Sequence, residues 1–255
     1  FLSPPPPTSP CRHFPKTYDS SIESSKTNTK TNTLSRFLLI GIKTSVNSFE
    51  YRQSIRNSWM KSVDNTDVCA FFLVGSVNET AHKNHKLLNA ALRNEQREFG
   101  DLLLSPDLPV VDSYFTLVDK SALFMKFAVS NFQFRYLMIV DDDVYLDVNG
   151  LANGLRTSAK RTKFLAGQVW EKQYDRKIKP NRDQSHRNSL SVDEFPFEHL
   201  PPFAIGPHYV MSRDCAEFIS LNYPRYLKGV GTLEDVTVSF WLMGMQVSER
   251  ASDED

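Results

Sequence analysis

Apolar strand-like runs alternate with helix-like stretches along most of this chain, which predicts an α/β domain with a largely parallel sheet. Short β-branched runs recur at 37–42, 68–74 and 136–140. Between them lie stretches with apolar residues at helical spacing. The chain has 255 residues, enough for one large α/β domain or two small ones.

The first element is the buried-strand run Phe37 to Ile42. Ser48 has the chemistry of an N-cap and opens a helix through Met60. A second strand runs from Val68 to Val74 and stops at Gly75. Asn84 to Phe99 reads as a helix whose Leu87, Leu88, Ala91 and Leu92 form one apolar face. Asp101 to Leu104 is a short third strand. Asp112 or Ser113 then opens a helix to about Phe132, with Leu117, Phe124 and Ala128 facing the core. Tyr136 to Val140 is the next strand, and Asp147 caps a helix through about Ala159. Phe164 to Val169 is another strand. Residues 171–191 are polar and basic, and a loop of that length inside a compact domain reads as a functional lid or a disordered segment. Phe203 to Gly206 and His208 to Ser212 read as strand and turn. Helices follow at Arg213–Leu221 and Glu234–Met243, the second with Val236, Phe240 and Met243 on one side. Residues 1–33 read as a disordered stem or linker. Pro4 to Pro7 favour an extended chain, and Ser20 to Thr33 hold too little apolar surface to offset ordering entropy.

Composition narrows the function. Thirty basic residues balance thirty acidic ones, so neither nucleic acid nor an anionic membrane surface is the expected partner. No apolar run approaches the roughly 20 residues of a membrane-spanning helix. The chain begins with Phe1 in place of Met, so it reads as a fragment, with an upstream anchor or signal as the expectation. Cys11, Cys69 and Cys215 are too few for a disulfide scaffold, none forms a CxxC pair, and Cys69 reads as a small core residue. One N-glycosylation sequon, Asn78-Glu79-Thr80, follows the second strand.

The strongest chemical signal is Asp141-Asp142-Asp143, placed directly after the apolar run 136–140. Carboxylates at the end of a buried strand repel one another and resist desolvation. A cation relieves both costs, and oxygen ligands suit Mg²⁺ or Mn²⁺. The carboxyl ends of strands in such sheets are also where ligands bind. The triplet therefore reads as a divalent-metal site for a phosphate-bearing ligand, or as a solvated acidic loop or helix cap. Arg52 and Arg56 lie four apart on one helical face. They fit a bidentate grip on a diphosphate or a solvated basic face. Glu234-Asp235 open a helix, where the dipole favours carboxylates and where a general base can also sit. Gly206 lets backbone approach a ligand. His208 reads as structural, and Trp59, Trp170 and Trp241 as core or as sugar-stacking platforms.

The order of these blocks is more specific than any one of them. Arg52 to Trp59 resembles the RxxIRxTW signature of the β1,3-glycosyltransferases, glycosyltransferase family 31. Glu98 to Leu103 matches that family's E-[FY]-G-D-[IL]-[IL] stretch, and Asp112 to Lys120 resembles its DSYxNLTLK segment. Asp141 to Tyr145 matches DDDVF, its form of the DxD motif. Residues 201–212 resemble PPYxxGxGYVLS, and Glu234-Asp235-Val236 resembles EDVYVG. The six blocks fall in family order across about residues 37–245.

The resemblance implies a GT-A-type nucleotide-sugar transferase domain over 34–255, with a Rossmann-like, mostly parallel sheet flanked by helices. It implies inverting transfer of galactose or N-acetylglucosamine from a UDP-sugar donor, with Mn²⁺, to a hydroxyl of a glycan acceptor on glycoprotein or glycolipid, forming a β1,3 linkage. A catalytically weak binder of nucleotide sugars or glycans is the alternative, and a metal-dependent phosphohydrolase is a third reading that the block order opposes. By the resemblance, Asp143 coordinates the metal. Asp141 contacts the donor, or the metal through water, and Asp142 positions the donor. Arg52 and Arg56 orient the nucleotide, one of them with an alternative role in an ion pair. Asp235 is the general base and Glu234 its neighbouring candidate. It further implies a type II Golgi membrane protein with a luminal catalytic domain and an anchor upstream of residue 1. This chain departs from the family pattern at Ile139, where a lysine is frequent, and at Ala204, Pro207 and His208 in the glycine-rich segment. By the resemblance, family members continue beyond this end to a metal-coordinating histidine, so a C-terminally truncated domain is the expectation. That role passes to neither His199 nor His208.

Overall fold

A computed structural model describes residues 34–63, 67–158, 162–169, 178–245 and 248–251. The expected stem, Cys11, Trp170 and residues 171–177 lie outside the described residues. Among the described residues, seven strands form one sheet: β1 (Leu34–Lys43), β2 (Val68–Gly75), β3 (Leu102–Leu104), β4 (Phe132–Asp141), β5 (Phe164–Val169), β6 (Ala204–Ser212) and β7 (Ser248–Ala251). Their order is β3-β2-β1-β4-β6-β5-β7. β6 runs antiparallel to β4 and β5, and the remaining pairs are parallel. The expected mostly parallel α/β sheet is present.

Six helices among the described residues flank the sheet: α1 (Phe49–Asn57), α2 (His85–Phe99), α3 (Leu117–Asn131), α4 (Val148–Thr157), α5 (Arg213–Asn222) and α6 (Glu234–Met243). Strand side chains alternate between faces. In β1, Leu38, Ile40 and Ile42 pack with Ile55 of α1, Leu92 of α2 and Ala152 of α4. Leu39 points the other way, into the core that holds Phe124 of α3, Ile219 of α5 and Trp241 of α6. Gly41 makes that second face close: a Cβ there would sit 2.5 Å from the Phe124 ring. A third, smaller core joins Leu190, Phe195, Phe203, Val230 and Val236.

Several local expectations change. Ser48 precedes α1 but makes no side-chain cap, and the helix ends at Asn57 before a separate 3₁₀ turn, Trp59–Ser62. Ser113 caps a 3₁₀ turn, Tyr114–Thr116, and α3 itself begins at Leu117. On α2 only Leu92 of the expected apolar face is buried, and Leu87 is 72% exposed, because the helix meets the sheet along a narrow stripe. Phe240 and Met243 of α6 are exposed, while Val238, Trp241 and Leu242 enter the core. Ala204–Ser212 form one continuous strand in place of a strand and turn. Its pairing to β5 shifts register between Gly167 and Val169, near Pro207, which has no N–H to donate. Cys69 is fully buried as expected, and it is also disulfide-bonded. The described part of the long basic loop is ordered by Arg182, whose guanidinium donates to the carbonyls of Leu190, Ser191, Phe195 and Phe197. No described helix is long and apolar enough to cross a membrane.

Candidate active site

Strand order reverses between β1 and β4, and at such a switch point the carboxyl ends of neighbouring strands open a crevice. Lys43 ends β1, Asp141 ends β4, and the two are register partners. A cavity of about 850 Å³ lies there, within the range of small-ligand sites. Asp141, Asp142, Asp143, Gly206, Glu234 and Asp235 all line it. The fold thus brings together residues from three distant segments that the sequence reading had singled out separately.

Lys43 joins them. Its ammonium is 3.0 Å from Asp141 Oδ1 and 3.1 Å from Glu234 Oε2, and it donates to the Gly206 carbonyl at 2.9 Å. One buried cation therefore ties the tip of β4 to β6 and to the start of α6. Burial alone would lower its pKa, but Glu234 and Asp141 outweigh burial and the net direction is upward. Ile139 itself is buried in the core, and the ammonium beside the triplet comes from the adjacent strand. Sequence reasoning missed Lys43. Its only signal was a charge terminating an otherwise apolar strand.

The aspartates differ in environment. Burial raises the Asp141 carboxyl, Lys43 pulls it back, and Glu234 and Asp143 push it up again. Asp142 accepts from Thr44 Oγ1 at 2.7 Å. Thr44 belongs to a second network whose pairings were not readable from the sequence. Buried Lys120 donates to the Thr44 carbonyl at 2.9 Å and to Asp112 Oδ1 at 2.6 Å. Asp112 Oδ2 accepts from the Val46 amide at 2.8 Å and so holds the loop after β1. Asp143 is exposed, with no hydrogen bond or ion pair among the described residues.

Glu234 and Asp235 separate in role. Glu234 is buried, takes a hydrogen bond from the Tyr209 hydroxyl and faces Lys43, so both oxygens are occupied. Asp235 accepts from the Gly206 amide at 2.9 Å and from the Val236 amide at 2.8 Å. Burial raises its pKa first, and the charge of Glu234 adds to that, partly offset by the two amides and Lys43. Gly206 approaches closely, as its lack of a side chain suggested, but what it approaches is Asp235. A Cβ there would lie 3.3 Å from that carboxylate.

Arg52 and Arg56 require a correction. Neither lines the cavity. Arg52 is fully buried, grips Glu95 with two nitrogens at 2.9 and 2.8 Å, and donates to the Ser45 carbonyl at 2.6 Å. Arg56 grips Asp101 at 2.8 Å through both contacts and also reaches Glu95. The reason is steric: their helical face is turned toward α2 and the start of β3, so their donors brace the framework. Trp59 and Trp241 are buried, and their indole N–H groups donate to the Val144 and Lys228 carbonyls. Neither is placed to stack on a sugar. His199 and His208 do not line the cavity, whereas His82 does.

An acidic cavity at the switch point of a mostly parallel sheet is the ligand-binding position of α/β domains. Sequence comparison specifies the family: the family model described as galactosyltransferase matches residues 50–253, and the chain belongs to that family. Among its relatives, hydroxyproline O-galactosyltransferase GALT5 of Arabidopsis thaliana is 29% identical over 207 residues, covering 80% of this chain and 28% of that protein. Beta-1,3-galactosyltransferase GALT1 of the same plant is 29% identical over 207 residues, covering 80% of this chain and 30% of its own length. The human UDP-GalNAc:beta-1,3-N-acetylgalactosaminyltransferase 1 is 30% identical over 182 residues, covering 70% of this chain and 51% of its own length. The chain spans under a third of the plant relatives and about half of the human one.

Proposed function

We propose that this chain is the catalytic domain of an inverting transferase that moves a hexose from a UDP-sugar to a glycan hydroxyl with β1,3 linkage. Galactose is the donor sugar to test first, since the family description and the plant relatives share it. The observation that carries the reading is the convergence of Asp141 to Asp143 and Asp235 on one cavity, with Lys43 between them.

The residues fit a divalent ion. Asp143 offers a carboxylate free of protein partners among the described residues, and Asp141 has one oxygen away from Lys43. Among the described residues no group of three or more His, Cys, Asp or Glu forms a ready cage. Carboxylate oxygens completed by substrate phosphates and water are the pattern of small hard cations. Asp143 and Asp141 would hold Mn²⁺, which when bound would supply charge neutralisation for a departing diphosphate. Asp142, fixed by Thr44, orients the donor. Asp235, with its raised pKa and its carboxylate pinned by two amides, accepts the proton of the attacking acceptor hydroxyl. Inversion needs that one base and no covalent enzyme intermediate. Glu234 and Lys43 position the base and the triplet relative to each other. A luminal setting in the Golgi, with a membrane anchor carried elsewhere in the protein, accompanies this reading.

The test is calorimetric titration of UDP with Mn²⁺ and then with EDTA, on the chain and on Asp143→Ala. Manganese-dependent binding that disappears in the variant is expected, followed by UDP release from UDP-galactose in the presence of acceptor glycans. Equal binding in EDTA would overturn the metal assignment.

A further inference from the structure

The sequon Asn78-Glu79-Thr80 plays no part in the cavity chemistry, and its geometry suits a different use. The chain leaves buried β2 at Gly75, whose φ of +80° turns it outward. A Cβ at Gly75 would meet the Val110 carbonyl at 2.4 Å, so the turn is specified by glycine. Val77 is buried and anchors the loop, while Glu79 and Thr80 are exposed. The Asn78 Oδ1 accepts from the Thr80 hydroxyl at 2.7 Å, the Thr80 amide at 3.1 Å and the Ala81 amide at 3.1 Å. The other half of the carboxamide is different: Nδ2 has no partner among the described residues. A substituent on Nδ2 therefore breaks no hydrogen bond there, and the three bonds to Oδ1 that shape the loop remain.

We propose that Asn78 is an N-glycosylation site and that its glycan emerges at the rim of the catalytic cavity. The step uses a lipid-diphosphate-linked oligosaccharide of the secretory lumen as co-substrate. A bond forms between Asn78 Nδ2 and the anomeric carbon of the oligosaccharide. The bond from that carbon to the diphosphate oxygen breaks, the lipid diphosphate leaves with the electron pair, and one Nδ2 proton is lost to the medium. The Thr80 hydroxyl, already held on the Asn78 carboxamide, supplies the third sequon position. The rim position follows from His82, which lines the cavity and donates its backbone N–H to the Asn78 carbonyl at 3.1 Å. This inference rests on the luminal setting of the proposed function and is independent of its chemistry.

The chain is expressed behind a secretion leader in a eukaryotic host and recovered from the lumen or the medium. Peptide mapping after enzymatic deglycosylation in heavy-oxygen water reads the outcome. Conversion of Asn78 to labelled Asp is expected in most molecules, with retention in Thr80→Ser and loss of the glycan in Thr80→Ala and Asn78→Gln. An unmodified Asn78 peptide from wild-type protein that has passed through the lumen overturns the proposal. Titration of UDP into the same preparation reports separately on the nucleotide site, so failure of one reading is visible without failure of the other.

Discussion

Two buried charge networks flank the end of β1, and they differ in what is left unsatisfied. In the first, Arg52 and Arg56 meet Glu95 and Asp101 with every carboxylate matched by a guanidinium fork. In the second, a single Lys43 serves Asp141 and Glu234, while Asp142, Asp143 and Asp235 add negative charge beside it. The first network is closed and holds α1 against α2 and the start of β3. The second carries more carboxylate than cation and opens onto a cavity, which is the electrostatic condition for attracting a cation. Charge content alone does not separate the two, but the balance of charge around each does.

The largest effect is expected at Asp235. If it is the base, Asp235→Asn lowers kcat by about 10²–10⁴-fold while UDP affinity changes little, because general-base catalysis supplies an effect of that order. Paired kinetics and calorimetry check this, and a variant with near-wild-type kcat would remove Asp235 from the chemistry. Next is the closed network. Arg52→Met leaves Glu95 without its fork and costs about 3–5 kcal/mol of stability, the usual effect of breaking a buried pair. Chemical denaturation measures the loss, and UDP affinity of the remaining folded protein is expected to be unchanged. A selective loss of UDP binding would return Arg52 to the nucleotide.

Lys43→Met tests the open network and is expected to reduce metal-dependent UDP binding and turnover by about 10–100-fold, typical of residues that orient ligands from behind. Lys43→Arg should recover little, since a planar fork does not reproduce a point charge shared by three oxygens. A pH profile sharpens the same region. Burial and Glu234 raise the Asp235 pKa, so its basic form is lost at a higher pH than for an ordinary aspartate. The acid limb of kcat/KM should lie correspondingly high and disappear from the residual activity of Asp235→Asn. The smallest effect concerns Cys215, whose thiol burial pushes up to about 11. Alkylation of native protein at neutral pH should be far slower than after unfolding, and mass spectrometry distinguishes the two.

Much of this was legible without coordinates, for reasons visible in particular residues. The alternation of apolar runs reported strands and helices because burial imposes a period on each. The acidic triplet after Val140 reported the cavity because a strand end in a parallel sheet is where ligands sit. The arginine pair was misplaced because a four-residue spacing defines a helical face and not what that face meets. The α2 stripe was overestimated for the same reason. The pairings of Lys43, Thr44, Asp112 and Lys120 were hidden because their partners are from 66 to 191 residues away, apart from the Lys120–Asp112 contact, and no local pattern encodes such distances.

By itself, then, the sequence determined the six helices and the first six strands in outline, though not β7 or the two 3₁₀ turns, along with the mostly parallel sheet, the acidic strand tip and the ordered blocks of the galactosyltransferase family. Local periodicity and motif chemistry are properties of neighbouring residues, and they survive without a fold. Only the tertiary structure decided which charges face the cavity and which brace the frame. It separated Asp235, open to the site, from Glu234, enclosed between Lys43 and Tyr209. That division depends on which way each side chain is turned, and packing against distant elements sets that direction.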